Sequence, residues 1–289
     1  MAGPSLGEWK AKAQHFAYDG LQIAFWTGGK PDARPLLLVH GYPTASWDWH
    51  RVWETLGSKY HLVAPDMIGF GLSDKPRSGY SIHRQADMHV ALLDHLGIGA
   101  FDALVHDYGV SVGQELLARR AERSAAQGLG QTVFLNGGIF PDQHRPRPIQ
   151  KLGTSPLGFL VGLLTNREKF GRSFSEVFGP DTQPGAQELD EFWDLVSHNG
   201  GNRIMHKLLH YIADRKEHAE RWFDALRIAQ GDIGLINGAL DPVSGRHAYE
   251  AWRERLPDAR HHLIPTVGHY PQVEDPQTVS RVTLDWLAR

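Results

Sequence analysis

Short apolar runs recur along this chain, and longer amphipathic stretches separate them. The runs have the length of buried strands, and the stretches are long enough for the helices that join parallel strands. This alternation is typical of a mostly parallel sheet with helices on both faces, so we predict an α/β fold. The predicted strands are Leu36–Val39, Leu62–Ala64, Ala103–Val105, Thr132–Leu135, Ile233–Ile236 and His262–Ile264.

Local signals add a hairpin and a helix before and between these strands. His15–Tyr18 and Leu21–Trp26 flank Asp19-Gly20, a dipeptide that favours a two-residue hairpin because glycine tolerates a positive φ. We therefore predict an antiparallel pair at the start of the fold. Further along, Ser81 can cap a helix that runs to about His95.

The alternation stops after Leu135 and resumes at Ile233. The sequence between them is typical of helices separated by Gly and Pro, and a structureless connection of that length is uncommon in a compact domain. We therefore predict an α/β core of residues 1–136 and 230–289, with a helical cap of residues 137–229 over the sheet.

Composition excludes several classes of protein. The 289 residues include 30 Lys and Arg against 33 Asp and Glu, so no basic field is expected to attract nucleic acid or an anionic membrane. Cysteine is absent, which excludes disulfides, thiolate catalysis and zinc sites built on Cys. The sequence has neither a signal-peptide pattern at its start nor an apolar run long enough to span a bilayer, and we expect a cytoplasmic protein.

The segment from Leu104 to Gly109 predicts a sharp turn from a strand into a helix. Such a turn exposes the side chain at its apex, next to the N–H groups and the positive dipole end of the helix. Asp107 would be the apex, and Gly109 would let the helix pass close to the strand. A second interpretation stays open, in which Asp107 is only the N-cap of the helix.

A competing motif begins at Gly109. Residues 109–113 have the pattern G-x-S-x-G of the serine hydrolases, with Ser111 in the position of the nucleophile. That motif requires a strand just before its first glycine, but the residues there are mostly polar. We therefore interpret Ser111 as a small residue on the first helical turn.

Three further segments follow predicted strands. The turn His40-Gly41-Tyr42-Pro43 would leave backbone N–H groups able to bind an oxyanion, although an ordinary loop also fits, and its Tyr-Pro bond is a candidate for the cis form. Asp241 and His269 come after two later strands, at the sheet edge where parallel sheets bind their ligands. Together with Asp107 they follow the α/β-hydrolase order of nucleophile, acid and histidine.

With these residues, nearly the whole chain resembles the α/β-hydrolases that use an aspartate nucleophile, namely the epoxide hydrolases and haloalkane dehalogenases. The resembling segments are HGYPTASWDW, PDMIGFGLSDKP, HDYG, ALDP and GHYPQVEDP. Within this group, residues 135–146 and 210–222 resemble the branch named after the mesoderm-specific transcript protein.

The resemblance implies a role for each matching residue. Asp107 would be the nucleophile, His269 the base and Asp241 the acid that orients it, while the N–H groups of Tyr42 and Tyr108 would form the oxyanion hole. It also implies a small apolar organic substrate, water as the second reactant and no cofactor.

Two departures from the family pattern bear on the reaction. The position two residues before the nucleophile is usually small in the family but is Val105 here. The position directly after the nucleophile is usually Trp but is Tyr108 here. A dehalogenase binds the halide with N–H donors at the positions of Tyr108 and Tyr42, where this chain has phenols that can also donate. We therefore expect epoxide opening, with haloalkane dehalogenation as the alternative.

Epoxide opening also needs a proton for the alkoxide, and family epoxide hydrolases supply it from cap tyrosines. Tyr211 matches the second of these, and a tyrosine suits donation to a strongly basic alkoxide. Its helical spacing from Ile204 and Leu208 equally fits simple core packing. The first cap tyrosine has no match, and residues 170–178 offer three phenylalanines instead.

Two other interpretations concern a metal site and an inactive scaffold. His206 and His210 could chelate a metal from one helix face, but no third ligand is spaced to join them, so we expect no metal. An inactive hydrolase scaffold that binds a ligand or a partner is a different class of function. The intact set of Asp107, Asp241 and His269 argues against it.

Overall fold

The computed structural model describes residues 3–143, 145, 147, 152–155 and 157–288. A sheet of eight strands in the order β1-β2-β4-β3-β5-β6-β7-β8 forms its centre. β2 pairs antiparallel with β1 and β4, and the other neighbouring strands are parallel. The strands are β1 (Gln14–Tyr18), β2 (Leu21–Gly29), β3 (Pro35–Val39), β4 (His61–Pro65), β5 (Phe101–Val105), β6 (Leu129–Phe134), β7 (Ile233–Gly238) and β8 (Arg260–Ile264).

Each predicted strand overlaps an observed one, and the α/β prediction is confirmed. Asp19 and Gly20 have φ values of 50° and 73°, as the predicted hairpin turn requires. The largest difference in a strand start is in β6, which begins at Leu129 rather than Thr132. Gly130 and Gln131 lie between these positions and interrupt the apolar run, so the sequence pattern did not reveal the start of this strand.

Helices cover both faces of the sheet. Leu37 and Val39 of β3 pack in the apolar cluster on one face, whereas Leu36 and Leu38 pack in the cluster on the other. Burial on both sides explains why this strand is a continuous apolar run. No described helix is both long and apolar enough to cross a bilayer. The helices are α1 (Leu6–Ala11), α2 (Trp53–Gly57), α3 (Ile82–His95), α4 (Tyr108–Ala121), α5 (Phe159–Leu164), α6 (Arg167–Ser175), α7 (Ala186–Ser197), α8 (Gly201–Leu208), α9 (Tyr211–Glu217), α10 (Ala219–Ile228), α11 (Arg246–Arg255), α12 (Pro271–Glu274) and α13 (Pro276–Leu287).

Helix α3 follows the prediction, because the Ser81 hydroxyl accepts a hydrogen bond from the Arg84 N–H. Helices α5 to α10 form the regular structure between β6 and β7, together with short 3₁₀ turns, in the described residues. We call residues 137–229 the cap. The predicted spacing of Ile204, Leu208 and Tyr211 crosses a break, since α8 ends at Leu208 and α9 begins at Tyr211. Pro146, in the first segment that resembles the mesoderm-specific transcript branch, lies outside the described residues.

Candidate active site

Asp107 lies at a sharp turn between β5 and α4. Its φ of 45° and ψ of −102° are unusual for a residue with a side chain, and its N–H donates to the Asn136 carbonyl at 2.8 Å. The side chain makes no capping hydrogen bond to α4, which favours the apex interpretation over the N-cap. A Cβ at Gly109 would lie 2.4 Å from the Val39 carbonyl oxygen, so the turn requires glycine there.

The loop after β3 holds one oxygen of this carboxylate. The Tyr42 N–H donates to Asp107 Oδ2 at 2.9 Å, and the Tyr42-Pro43 bond is cis. The predicted loop therefore directs an N–H group at the Asp107 carboxylate. Tyr108 is the first residue of α4, where backbone N–H groups have no partner within the helix.

His269 follows β8, and its ring lies between the carboxylates of Asp107 and Asp241. Its Nδ1 is 2.7 Å from Asp241 Oδ2, and its Nε2 is 3.8 Å from Asp107 Oδ1. Burial lowers the pKa of His269, but the charge and hydrogen bond of Asp241, with the charge of Asp107, outweigh it and raise the pKa to about 9. At neutral pH this imidazole is therefore protonated when Asp107 is ionised.

Asp241 follows β7, and hydrogen bonds hold its carboxylate in place. Its carboxylate accepts hydrogen bonds from the Val243 N–H, the Ser244 hydroxyl and the Asn136 side-chain amide, besides His269. Burial raises the pKa of this carboxyl, yet the charge and hydrogen bond of His269, with the hydrogen bonds from Ser244 and Val243, hold it well below its usual range. Asp241 thus stays anionic and can orient His269.

Several residues at the site were not predicted from the sequence. Asn136 follows β6 as Asp241 follows β7, so the same strand-end rule was able to reveal it. The His106 Nε2–H donates to the carbonyl of His269 at 2.8 Å, which fixes the backbone of the histidine. The Tyr270 hydroxyl donates to the Tyr42 carbonyl at 3.2 Å, and Arg215 reaches the Asp107 turn from the cap. These three residues lie in the segments HDYG, GHYPQVEDP and 210–222 that carry the family resemblance, but no role was predicted for them from the sequence.

Tyr211 and Ser111, the other residues singled out in the sequence, lie close to the Asp107 turn. The Tyr211 ring is buried 4.8 Å from the Tyr108 ring and 6.3 Å from the Tyr42 ring. Tyr211 does not line the cavity described below, although Tyr42 does. Ser111 lies on the first turn of α4, as interpreted, and its hydroxyl accepts a hydrogen bond from Arg215 Nε at 2.7 Å.

A cavity of about 270 Å³ lies between the cap and the core. Asp107 and His269 line it from the core side, together with Tyr42, Pro43, Val243 and Tyr270. The lining is mainly apolar, and its polar cap residues include Arg147 and Lys169. Such a cavity suits a small apolar molecule held against the Asp107 carboxylate. The apolar side chains from the cap are Leu152, Leu160, Leu164, Phe170, Phe174, Val177, Met205 and Leu209.

The pair of histidines considered as metal ligands does not form a cluster of three. His210 Nδ1 lies 3.1 Å from Asp214 Oδ1. Within the described ranges, no three His, Cys, Asp or Glu side chains are grouped to hold a metal ion.

The chain is similar to known proteins over most of its length. It is 40% identical to the mesoderm-specific transcript homolog protein of Bos taurus, over 94% of this chain and 85% of that protein. It is 37% identical to LipZ of Mycobacterium tuberculosis, over 99% of both chains. Two solved structures share the fold, namely a loop variant of the haloalkane dehalogenase DbeA from Bradyrhizobium elkanii (TM-score 0.77, 22% identity, 96% of each chain) and the epoxide hydrolase CorEH (TM-score 0.74, 20% identity, 96% and 98%).

The family comparison agrees with this geometry. The model of the alpha/beta hydrolase family matches residues 36–282, a range that contains Asp107, Asp241 and His269. The predicted resemblance is confirmed, and the chain belongs to the alpha/beta hydrolase family.

Proposed function

We propose that this hydrolase opens an epoxide to a vicinal diol through an ester on Asp107. The observation that carries the proposal is a carboxylate at the apex of a strand-to-helix turn, facing an apolar cavity, with the His269–Asp241 pair beside it. A carboxylate attacks carbon without needing a base, whereas water does need one. The proposed site has Asp107 as the carboxylate and His269 as the base for water.

In the first half-reaction, Asp107 attacks a ring carbon and the carbon–oxygen bond of the epoxide breaks. Tyr211 is the proposed donor of a proton to the new alkoxide on the strength of the family resemblance; it is not among the lining residues, but its ring lies 6.3 Å from that of Tyr42, which is. The Tyr211 phenolate then regains a proton from the imidazolium of His269, whose pKa is about 9, or from solvent where residue 269 is not histidine. The products are an alkyl ester on Asp107 and a neutral His269.

In the second half-reaction, neutral His269 takes a proton from water, which attacks the ester carbonyl carbon of Asp107. The N–H groups of Tyr42 and Tyr108 stabilise the tetrahedral oxyanion. The diol leaves and the carboxylate is restored. The hydrogen bond from the Tyr42 N–H to Asp107 Oδ2 supports this role, because that oxygen becomes the oxyanion.

The lining of the cavity favours an epoxide over a haloalkane. Dehalogenases of this family bind the leaving halide with Trp or Asn side chains, and the described lining residues include neither, although Arg147 and Lys169 carry N–H groups there. The resting contacts of Asp107, His269 and Asp241 also argue for an enzyme rather than an inactive scaffold.

A His269→Gln variant tests the proposal, because it removes the base and leaves the nucleophile. Mixed with a panel of epoxides and haloalkanes, it should consume one equivalent of a true substrate and keep a stable adduct on Asp107. An epoxide adds its whole mass, whereas a haloalkane adds only its alkyl group and releases one halide. His15→Gln, at an exposed histidine, is the matched control and should turn over normally. An unlabelled His269→Gln protein that is folded and binds a substrate of the wild type would refute the Asp107 ester.

A further inference from the structure

Arg215 of cap helix α9 is a buried cation that contacts the nucleophile turn. Its side chain is 3% exposed. Nη2 donates to the main-chain carbonyl of Asp107 at 2.9 Å, and Nε donates to Ser111 Oγ at 2.7 Å. The guanidinium also lies over the Tyr211 ring, 4.4 Å from its centroid. This one side chain therefore links the cap to both ends of the first turn of α4.

The shape of the site fits a guanidinium in one orientation. A Cβ at Gly138 would lie 2.3 Å from Arg215 Nη1, so the glycine leaves the space that this nitrogen occupies. Ser111, the serine of the G-x-S-x-G pattern, anchors Nε on the other side. The geometry gives this serine a partner other than a substrate.

A buried guanidinium needs a negative charge nearby, because an unpaired buried ion is very costly. The Asp107 carboxylate provides it, since Arg215 Nη2 lies 3.9 Å from Asp107 Oδ1. His269 Nε2 lies 3.8 Å from the same oxygen. Esterification of Asp107 removes this negative charge from beside Arg215, whereas hydrolysis of the ester restores the ion pair.

We propose that Arg215 is a positioning residue that holds the Asp107 turn and drives the hydrolysis half-reaction. The inference rests on the proposed function in one respect, because it assumes an ester on Asp107. Arg215 makes the free carboxylate more stable than the ester, and its charge also favours the negative tetrahedral intermediate. In ring opening the charge of Arg215 acts against the step, since that step consumes the carboxylate, while the hold of Arg215 on the Asp107 turn favours it.

The test compares Arg215→Met, Arg215→Gln and Arg215→Lys with the wild type, using phenyl glycidyl ether as the probe. Samples quenched in acid during turnover give the esterified fraction by intact mass, and rapid mixing gives the rates of both half-reactions. Arg203→Met is the matched control, because Arg203 is an exposed cap arginine. Melting temperatures show which variants are folded.

We expect Arg215→Met and Arg215→Gln to hydrolyse the ester about 10- to 100-fold more slowly than the wild type. This is the size of effect expected when a hydrogen bond to a charged group is lost. The esterified fraction should rise, while ring opening slows less or not at all. Arg215→Lys keeps the charge without the fork of donors and should lie in between. Hydrolysis at the wild-type rate in Arg215→Met would overturn the inference, and so would an equal loss of both half-reactions in all three variants.

Hydrogen exchange separates this inference from the proposed function. Residues 105–113 should exchange faster in Arg215→Met than in the wild type, and Arg203→Met should leave them unchanged. If the probe and other epoxides never label His269→Gln, the proposed function fails, and the exchange measurement alone then decides the positioning role. Unchanged exchange in Arg215→Met would reject that role too.

Discussion

The core and the cap contribute to the site in different ways. In the core, Asp107, Asp241 and His269 each follow a parallel strand, and backbone or side-chain hydrogen bonds fix the position of each. The cap contributes mainly apolar side chains, and polar contacts join α9 to the core. The sheet therefore orients the three proposed catalytic residues, while the cap shapes the cavity and supplies Arg215.

Polar contacts fasten the cap to the core at several helices, including α9 and also α10, whose Arg221 and Trp222 donate to Glu115 of α4. Asp214 accepts a hydrogen bond from the Ile82 N–H at the start of α3, at 2.8 Å, and the next residue is Arg215. Two adjacent side chains thus hold α9 to two core helices. The comparison between core and cap predicts that core variants stop the chemistry, whereas cap variants change its rate or its partition between steps.

The largest effect is expected at the apex of the turn. Asp107→Ala should abolish turnover, since loss of a covalent nucleophile costs about 10⁴-fold or more. Ser111→Ala should slow turnover by no more than about 10-fold, because it removes one hydrogen bond from Arg215. Steady-state rates on the best substrate decide the comparison. A folded Ser111→Ala protein that is inactive, beside an active Asp107→Ala, would reverse the assignment of the nucleophile.

Tyr211→Phe tests whether the cap also supplies a reacting group. If Tyr211 protonates the alkoxide, ring opening should slow by roughly 10² to 10⁴, because the donor is lost while the packing area is kept. The melting temperature should be nearly unchanged. Tyr249→Phe, on α11, is the matched control. An unaltered rate would assign Tyr211 to core packing and strengthen the contrast between a reactive core and an apolar cap.

The core was predictable from the sequence because its signals are local. Apolar runs located β5, β7 and β8, and the polar residues that follow them, Asp107, Asp241 and His269, meet at one edge of a parallel sheet. Asn136 obeys the same rule but was missed, because an amide after a strand carries no chemical signature of its own. His106 was also missed, since its role is a hydrogen bond to the backbone of a residue far along the chain.

The cap was less predictable because its contacts depend on how the helices are oriented. A charged residue on an amphipathic helix is expected in solvent, yet Arg215 is buried against the Asp107 turn. Gly138 has its meaning only next to that guanidinium. The spacing of Ile204, Leu208 and Tyr211 suggested one helix, whereas the chain turns between α8 and α9.

The pH dependence tests the proton balance of the core. His269 has a pKa of about 9 in the free enzyme, because the charges of Asp241 and Asp107 outweigh burial. If its imidazolium supplies the net proton for ring opening, kcat/KM should be level below that pH. Above about pH 9, kcat/KM should fall about tenfold per pH unit. The opposite sign, a kcat/KM that rises up to about pH 9, would mean that His269 must start neutral.

Gly138→Ala gives the smallest effect and tests the cap contact without altering a charged residue. The new Cβ would lie 2.3 Å from Arg215 Nη1, so the guanidinium must shift and weaken its bonds to Ser111 and Asp107. Overpacking of this kind costs about 1–3 kcal/mol of stability. Hydrolysis of the ester should slow by about 2- to 10-fold, within the range for a weakened charged hydrogen bond.

Two comparisons make this last prediction specific. Gly231→Ala has open space for its Cβ and should behave as the wild type in melting temperature and in both half-reactions. Because Gly138→Ala acts through the guanidinium, its kinetic effect should disappear in a protein that already carries Arg215→Met. Such non-additivity is what a double-mutant cycle measures for coupled neighbours. Single-turnover rates of the four proteins in the cycle measure this coupling. Additive slowing of hydrolysis would mean that Gly138 acts on the Asp107 turn directly, and that the cap does not reach the nucleophile through Arg215.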